Sequence, residues 1–113
     1  MKEFLFVFRG DFSGIANRTP EEMQASTQHW MNWISGIAAQ NKLADRGSSL
    51  KGTGTVVRAG QVVTDGPYTE LKETLGGYSI VKAGSMEEAI ALAEGCPVFN
   101  MGGSVEIREI NVL

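Results

Sequence analysis

Cysteine and histidine are almost missing from this chain of 113 residues, each occurring once, as Cys96 and His29. A single cysteine cannot form a disulfide within the chain, and together with a single histidine it cannot supply the ligand set of a structural zinc site. The sequence therefore predicts a core held together by packing alone, in a reducing compartment, with no metal and no cofactor required.

A surplus of basic residues and a long apolar run are missing as well. Lysine and arginine number 10 against 13 acidic residues, for a formal net charge of -3, so we expect no direct contact with nucleic acid. No apolar run approaches the roughly 20 residues that span a bilayer, and the run that follows Met1 is too short for a signal sequence. These features favour a cytoplasmic protein that contacts no membrane.

What the chain does have is an ordinary globular composition, 42% hydrophobic and 20% charged. Its length suits one domain, and neither a linker nor an internal repeat divides it. We therefore treat residues 1–113 as a single domain.

Two helices are indicated by their capping patterns. The segment Thr19–Glu22 reads Thr-Pro-Glu-Glu, which combines a capping box with proline at the first helical position. Apolar residues then recur at helical spacing, so this helix should end near Asn41. A second capping box at Ser85–Glu88 begins another helix, which Gly95 should end.

Strand patterns precede and separate the helices. Phe4–Phe8 is apolar at every position, which is typical of a strand buried on both faces. Leu43–Leu50 carries a weaker strand pattern. Two β-branched runs, Thr55–Arg58 and Gln61–Thr64, flank Ala59-Gly60 and predict a hairpin with a two-residue turn.

The remaining strands lie towards the end of the chain. Tyr68–Gly77 is polar and predicts a surface loop, after which Tyr78–Lys82 resumes strand character. The apolar residues of Val105–Val112 change parity, so we expect a bulge or a change of covered face near Arg108.

This order of elements is that of a ferredoxin-like α+β fold, a βαβ-βαβ sandwich with an inserted β-hairpin. Two helices can cover only one face of its sheet. Because Phe4–Phe8 is apolar in both phases, the other face should be buried against a second copy of the chain. The sequence therefore predicts a homodimer.

His29 is the first candidate for chemistry. It immediately precedes Trp30, so its ring should lie at the border of the apolar stripe, where a carboxylate could tune it for proton transfer. Asp65, at the end of the predicted hairpin, is such a carboxylate. Each residue also has a structural interpretation: a histidine bonded to a backbone carbonyl, and an ordinary Asp-Gly-Pro turn.

Three further charged residues are candidates for ligand contact. Arg9 could bind an anionic group bidentately, through two N–H groups of its guanidinium. The carboxylate of Asp11 beside it could equally neutralise that positive charge. Glu70 and Lys72 form either a polar wall for a ligand or a solvated face that compensates its own charge.

The segment Asp65–Glu73, with the sequence DGPYTELKE, followed by LGGY at Leu75–Tyr78, resembles the signature of DGPF-motif, YCII-related proteins. The resemblance extends over nearly the whole chain. Met1–Phe8 is similar to the opening strand of that family, His29 to the helix histidine of many members, and Glu106–Arg108 to the closing strand.

The resemblance implies a dimeric α+β barrel of ferredoxin-like subunits. Some YCII-like proteins are thought to use a His/Asp pair in a cleft for lyase-like or hydrolytic chemistry, and by similarity that role falls on His29 and Asp65. Tyr68 stands where the motif has phenylalanine. The candidate substrate-binding residues are then Arg9, Tyr68, Glu70 and Lys72.

A non-catalytic role is the alternative that the same resemblance implies. Other DGPF members are similar to proteins encoded beside or fused to extracytoplasmic-function sigma factors. The chain would then be a module that binds a ligand or a regulatory partner without turnover.

Overall fold

A computed structural model of the chain describes residues 1–60, 62–66 and 74–113. Among these residues it contains six strands and two α-helices. The strands are β1 (Lys2–Gly10), β2 (Leu43–Ser49), β3 (Gly54–Arg58), β4 (Val62–Gly66), β5 (Thr74–Ala83) and β6 (Ser104–Glu109). The helices are α1 (Pro20–Ala39) and α2 (Met86–Ala93), with short 3-10 helices over Ile15–Asn17 and Pro97–Met101.

The main sheet has four antiparallel strands in the order β2-β5-β1-β6, and β3 and β4 form a separate hairpin. Strands that follow one another through a helix are therefore not neighbours, which is the split βαβ arrangement of the ferredoxin-like fold. This confirms the predicted fold class and the inserted hairpin. Among the described residues, no helix combines the length and the apolar character needed to cross a membrane.

The core lies on the face of the sheet that the helices cover. Phe4, Phe6 and Phe8 of β1 are buried, whereas the residues between them are only half-buried. Trp33 stacks on Phe6 with ring centroids 6.2 Å apart, and Trp30 meets Phe8 edge to face at 4.9 Å. Within one chain, β1 is thus buried on a single face, and the half-buried Trp30 and Trp33 of α1 pack against the core.

Helix capping follows the predicted pattern in α1 and half of it in α2. Thr19 Oγ1 accepts from the Glu22 amide at 3.1 Å, and the Glu22 carboxylate accepts from the Thr19 amide at 3.4 Å. Ser85 likewise accepts from the Glu88 amide. The Glu88 carboxylate, however, accepts from Gly84 N–H at 3.2 Å and pairs with Lys42, so the second capping box is not completed.

The sequence predicted a two-residue turn for the β3–β4 hairpin, and the turn in the structure is one residue longer. The register pairs Arg58 with Val62, so three residues connect β3 to β4. Gly60 lies in this loop with φ of 84°. A glycine in the left-handed region is typical of three-residue hairpin loops. Gln61, predicted to begin the second strand, lies outside the described residues.

Two boundaries in the later strands also differ from the predictions. β5 begins at Thr74 rather than Tyr78, because β1 continues past a register shift to pair Gly10 with Thr74. β6 ends at Glu109, and its pairing with β1 shows no register shift. Of the two alternatives expected near Arg108, the bulge is therefore wrong, and β6 ends before Ile110.

Candidate functional site

The face of the main sheet that the helices leave uncovered has an apolar centre. The register places Leu5 opposite Ile80 and Val7 opposite Tyr78, and all four side chains are half-buried. On the other side of β1, Leu5 lies opposite Arg108 and Val7 opposite Glu106. We call this surface the open face, with an apolar centre formed by Leu5, Val7, Tyr78 and Ile80.

One carboxylate is shared by two arginines at the edge of the open face. Arg9 Nε contacts Glu106 Oε1 at 3.2 Å, and Arg108 Nε contacts Glu106 Oε2 at 2.8 Å. The cluster carries one more positive than negative charge. Sequence reasoning identified Arg9 but missed Glu106 as its partner, because the two residues are 97 positions apart in the chain.

The ion pairs of Glu106 with the two arginines shift the pKa of its carboxyl group. The hydrogen bond from Arg108 has the larger effect and that from Arg9 the smaller, and both hold the pKa of the Glu106 carboxyl below its ordinary value of 4.5. We expect Arg108→Gln to raise this pKa more than Arg9→Gln does, as measured by carbon-13 NMR titration of the carboxyl group. Arg18→Gln is the control and should leave it unchanged, whereas equal shifts in all three variants would contradict the cluster.

The sign of the effect on stability follows from the direction of that shift. A carboxyl with a lowered pKa in the folded state stabilises the fold above its unfolded value, near pH 4.5. That contribution is lost as the pH falls through the lowered folded value. Because the group lies at the surface, solvent screening keeps the effect small.

The main sheet resumes beside Arg9 at Thr74, the residue that follows the signature segment Asp65–Glu73. Arg9 lies opposite Leu75, and Gly10 lies opposite Thr74, the first residue of β5. Arg9 is therefore placed at the sheet end to which the segment 67–73 connects. Three of the candidate ligand-binding residues, Tyr68, Glu70 and Lys72, fall in that segment and lie outside the described residues.

The two glycines of the signature have a packing role. A Cβ on Gly76 would lie 2.3 Å from a ring carbon of Phe12, and one on Gly77 would lie 2.7 Å from the Ser48 carbonyl oxygen. Only glycine leaves room for this ring and this backbone at the start of β5. The glycine pair was predicted to end a loop, and it instead lies in the strand.

The structure places the two predicted catalytic residues on different elements. His29 lies in α1 with its side chain exposed, next to the half-buried Trp30. Asp65 lies in β4, where its backbone pairs opposite Thr55. The pairing of His29 with Asp65 stays a prediction.

Two other kinds of chemistry are constrained by the described residues. Burial raises the pKa of the Cys96 thiol to about 12, so this cysteine stays protonated at neutral pH and is a poor nucleophile. In the part of the chain that the structure describes, no group of His, Cys, Asp or Glu side chains is gathered closely enough to hold a metal ion.

The strand order and the position of both helices on one face of the sheet define a ferredoxin-like α+β domain. The family model of the YCII-related domain matches residues 15–113, and the chain belongs to this family. This confirms the predicted membership of the YCII-related family. A search of the curated proteins found no match.

Proposed function

We propose that the protein is a homodimer that binds a small anionic molecule beside its signature segment. His29 serves as the proton-transfer group, as general acid or base, and Asp65 orients it. The observation that carries this proposal is the cluster on the open face, in which Arg9 and Arg108 share the single carboxylate of Glu106.

The cluster favours an anionic ligand for two reasons. A guanidinium carries several N–H donors in a planar fork, and Arg9 contacts Glu106 through its Nε. The excess positive charge attracts a carboxylate or phosphate, both of which fit that fork. The Arg9 side chain is 40% exposed, so a small molecule can reach it.

The apolar centre of the open face supports the homodimer. Leu5, Val7, Tyr78 and Ile80 present a patch with charges of both signs at its border. Two such faces related by a twofold axis bury their apolar centres against each other. The ion cluster lies at the edge of this face, so it would border the interface and stay open to a ligand.

His29 and Asp65 supply the chemistry in this proposal. Imidazole exchanges protons near neutral pH more readily than other side chains, and an exposed His29 is accessible to a ligand. Asp65 precedes the segment that joins β4 to β5, close in sequence to the residues that the family signature marks. A carboxylate there would fix the orientation of the imidazole and stabilise its charged form.

A panel of small carboxylic acids (acetate, malonate, succinate and maleate), followed by amide NMR shifts, tests the proposal. We expect at least one acid to shift the Arg9 resonances, and Arg9→Gln to weaken its binding by about tenfold or more, since a charge-assisted hydrogen bond is lost. For any acid that is converted, His29→Gln and Asp65→Asn should each reduce turnover, and the double variant no more than the more severe single one.

Two controls make the result decisive. Arg18→Gln and Asp45→Asn change charge elsewhere on the surface and should leave both binding and turnover unchanged. If none of the acids shifts the Arg9 resonances, the proposal that this site binds an anion is wrong. Binding without turnover, in the wild type as in the variants, would instead support the alternative role, a non-catalytic module that binds a ligand or a regulatory partner.

A further inference from the structure

A groove lies between α1 and α2, on the helix side of the sheet. Its volume is about 360 Å³, which falls within the range of small-molecule pockets. Within the described residues, the lining includes the apolar side chains of Trp33, Ile37 and Leu92 and the charged pair of Lys42 with Glu88. We call it the interhelical groove.

The apolar part of the interhelical groove is fixed in place. Trp33 stacks on Phe6 in the core, and its Nε1 donates to the Leu92 carbonyl oxygen at 3.0 Å. This hydrogen bond ties α1 to α2 and satisfies the polar atom of the indole. The ring therefore offers a ligand a preformed apolar surface, which lowers the ordering cost of binding.

The charged end of the groove has more donors than acceptors. Lys42 Nζ contacts Glu88 Oε1 at 2.8 Å, while Glu88 Oε2 accepts from Gly84 N–H at 3.2 Å. Both carboxylate oxygens are thus engaged, and these two contacts lower the pKa of the Glu88 carboxyl. The ammonium has three donors, and within the described residues Glu88 is the one side chain it pairs with.

Gly36 widens the groove at the middle of α1. Gly36 lines the groove, and a Cβ added there would lie more than 4 Å from the rest of the described chain. Glycine is less favourable than alanine inside a helix. The open space above Gly36 lets a ligand approach the helix backbone more closely than any other residue would allow.

We propose that the interhelical groove binds a small carboxylic acid with an apolar body, whose carboxylate contacts Lys42 and whose apolar part lies on Trp33 and Leu92. The site is separate from the one proposed on the open face and does not depend on it. An apolar floor with a donor at one end fits an amphipathic acid better than a fully polar or fully apolar molecule.

Titration with 1-naphthoate, followed by proton-nitrogen NMR, tests this site. We expect naphthoate to shift the Trp33 indole N–H and the Gly36 amide, and uncharged 1-naphthylmethanol to bind at least about tenfold more weakly. Lys42→Gln should weaken naphthoate binding by about tenfold. Glu88→Gln should strengthen it, because the ammonium then loses its competing carboxylate.

Matched variants separate the groove from other surfaces. Gly36→Leu fills the groove and should abolish binding, whereas Ser35→Leu, at the adjacent exposed position, should retain it. Arg9→Gln should leave the naphthoate affinity unchanged, which distinguishes this site from the open face. Millimolar naphthoate that leaves Trp33 and Gly36 unmoved, or equal affinity in the wild type and in Lys42→Gln, would overturn the proposal.

Discussion

Val7→Lys is expected to separate the proposed homodimer into folded monomers. Val7 lies at the apolar centre of the open face, between Tyr78 and Glu106. Twofold packing would bury the new ammonium at the interface of both copies, and an inadequately paired buried charge costs about 3 to 5 kcal/mol. In the monomer, the open face is exposed and water solvates the ammonium. We therefore expect the dimer dissociation constant to rise about a hundredfold or more.

The same substitution on the hairpin provides the control for that result. Val57 lies in β3 and is 71% exposed, so Val57→Lys should leave the dimer intact. Sedimentation velocity over a range of concentrations measures both variants, and circular dichroism checks that each is folded. A Val7→Lys protein that associates as tightly as Val57→Lys would show that the open face is not the interface.

Gly47→Ala is expected to cause the largest loss of folding stability. Gly47 has a φ of 71°, and a Cβ there would lie 1.7 Å from the Tyr78 carbonyl oxygen. A left-handed residue other than glycine costs about 1 to 2 kcal/mol, and the clash forces β2 away from β5. We expect a total loss of about 4 kcal/mol or more in the free energy of unfolding, measured by urea denaturation.

Gly60→Ala isolates the contribution of the clash. Gly60 has a similar φ of 84°, but no atom of the described residues lies within 4 Å of a Cβ placed there. This variant should therefore lose only the conformational cost, about 1 to 2 kcal/mol. Both proteins must be compared at one concentration, since dimer formation adds to apparent stability. Equal losses in the two variants would mean that β2 does not approach β5 as closely as described.

Local signals were sufficient for the elements that carry the core. The aromatic run of Phe4–Phe8 and the capping box at Thr19 each depend only on residues that are close together in the sequence. The structure confirms both the first strand and the first helix. The fold class followed from their order. Local patterns were weaker at strand ends, where β5 gains Thr74 to Gly77 by pairing with β1 and, at Gly77, with β2.

Contacts between distant parts of the chain were beyond the reach of sequence patterns. Glu88 was expected to complete a capping box, yet in the fold it meets Lys42, which the local spacing could not foresee. Glu106 was similarly missed as the partner of Arg9. The distance between His29 and Asp65 was not predictable for the same reason, because one lies on a helix and the other on a hairpin.

The glycine pair of the signature shows the difference between a motif and its physical cause. Gly76 and Gly77 were predicted as the end of a polar loop, whereas the structure shows them inside β5, against Phe12 and the backbone of Ser48. Part of the family signature thus maintains packing beside the candidate site. The charged residues of the segment Asp65–Glu73 remain the candidates for ligand contact.

Sedimentation equilibrium of the unmodified protein at micromolar concentration tests the central claim most directly. Burial of the open face against a second copy predicts a species of twice the 12.2 kDa chain mass, with the monomer appearing only on strong dilution. A stable, folded monomer throughout that range would contradict the homodimer and the burial of the open face.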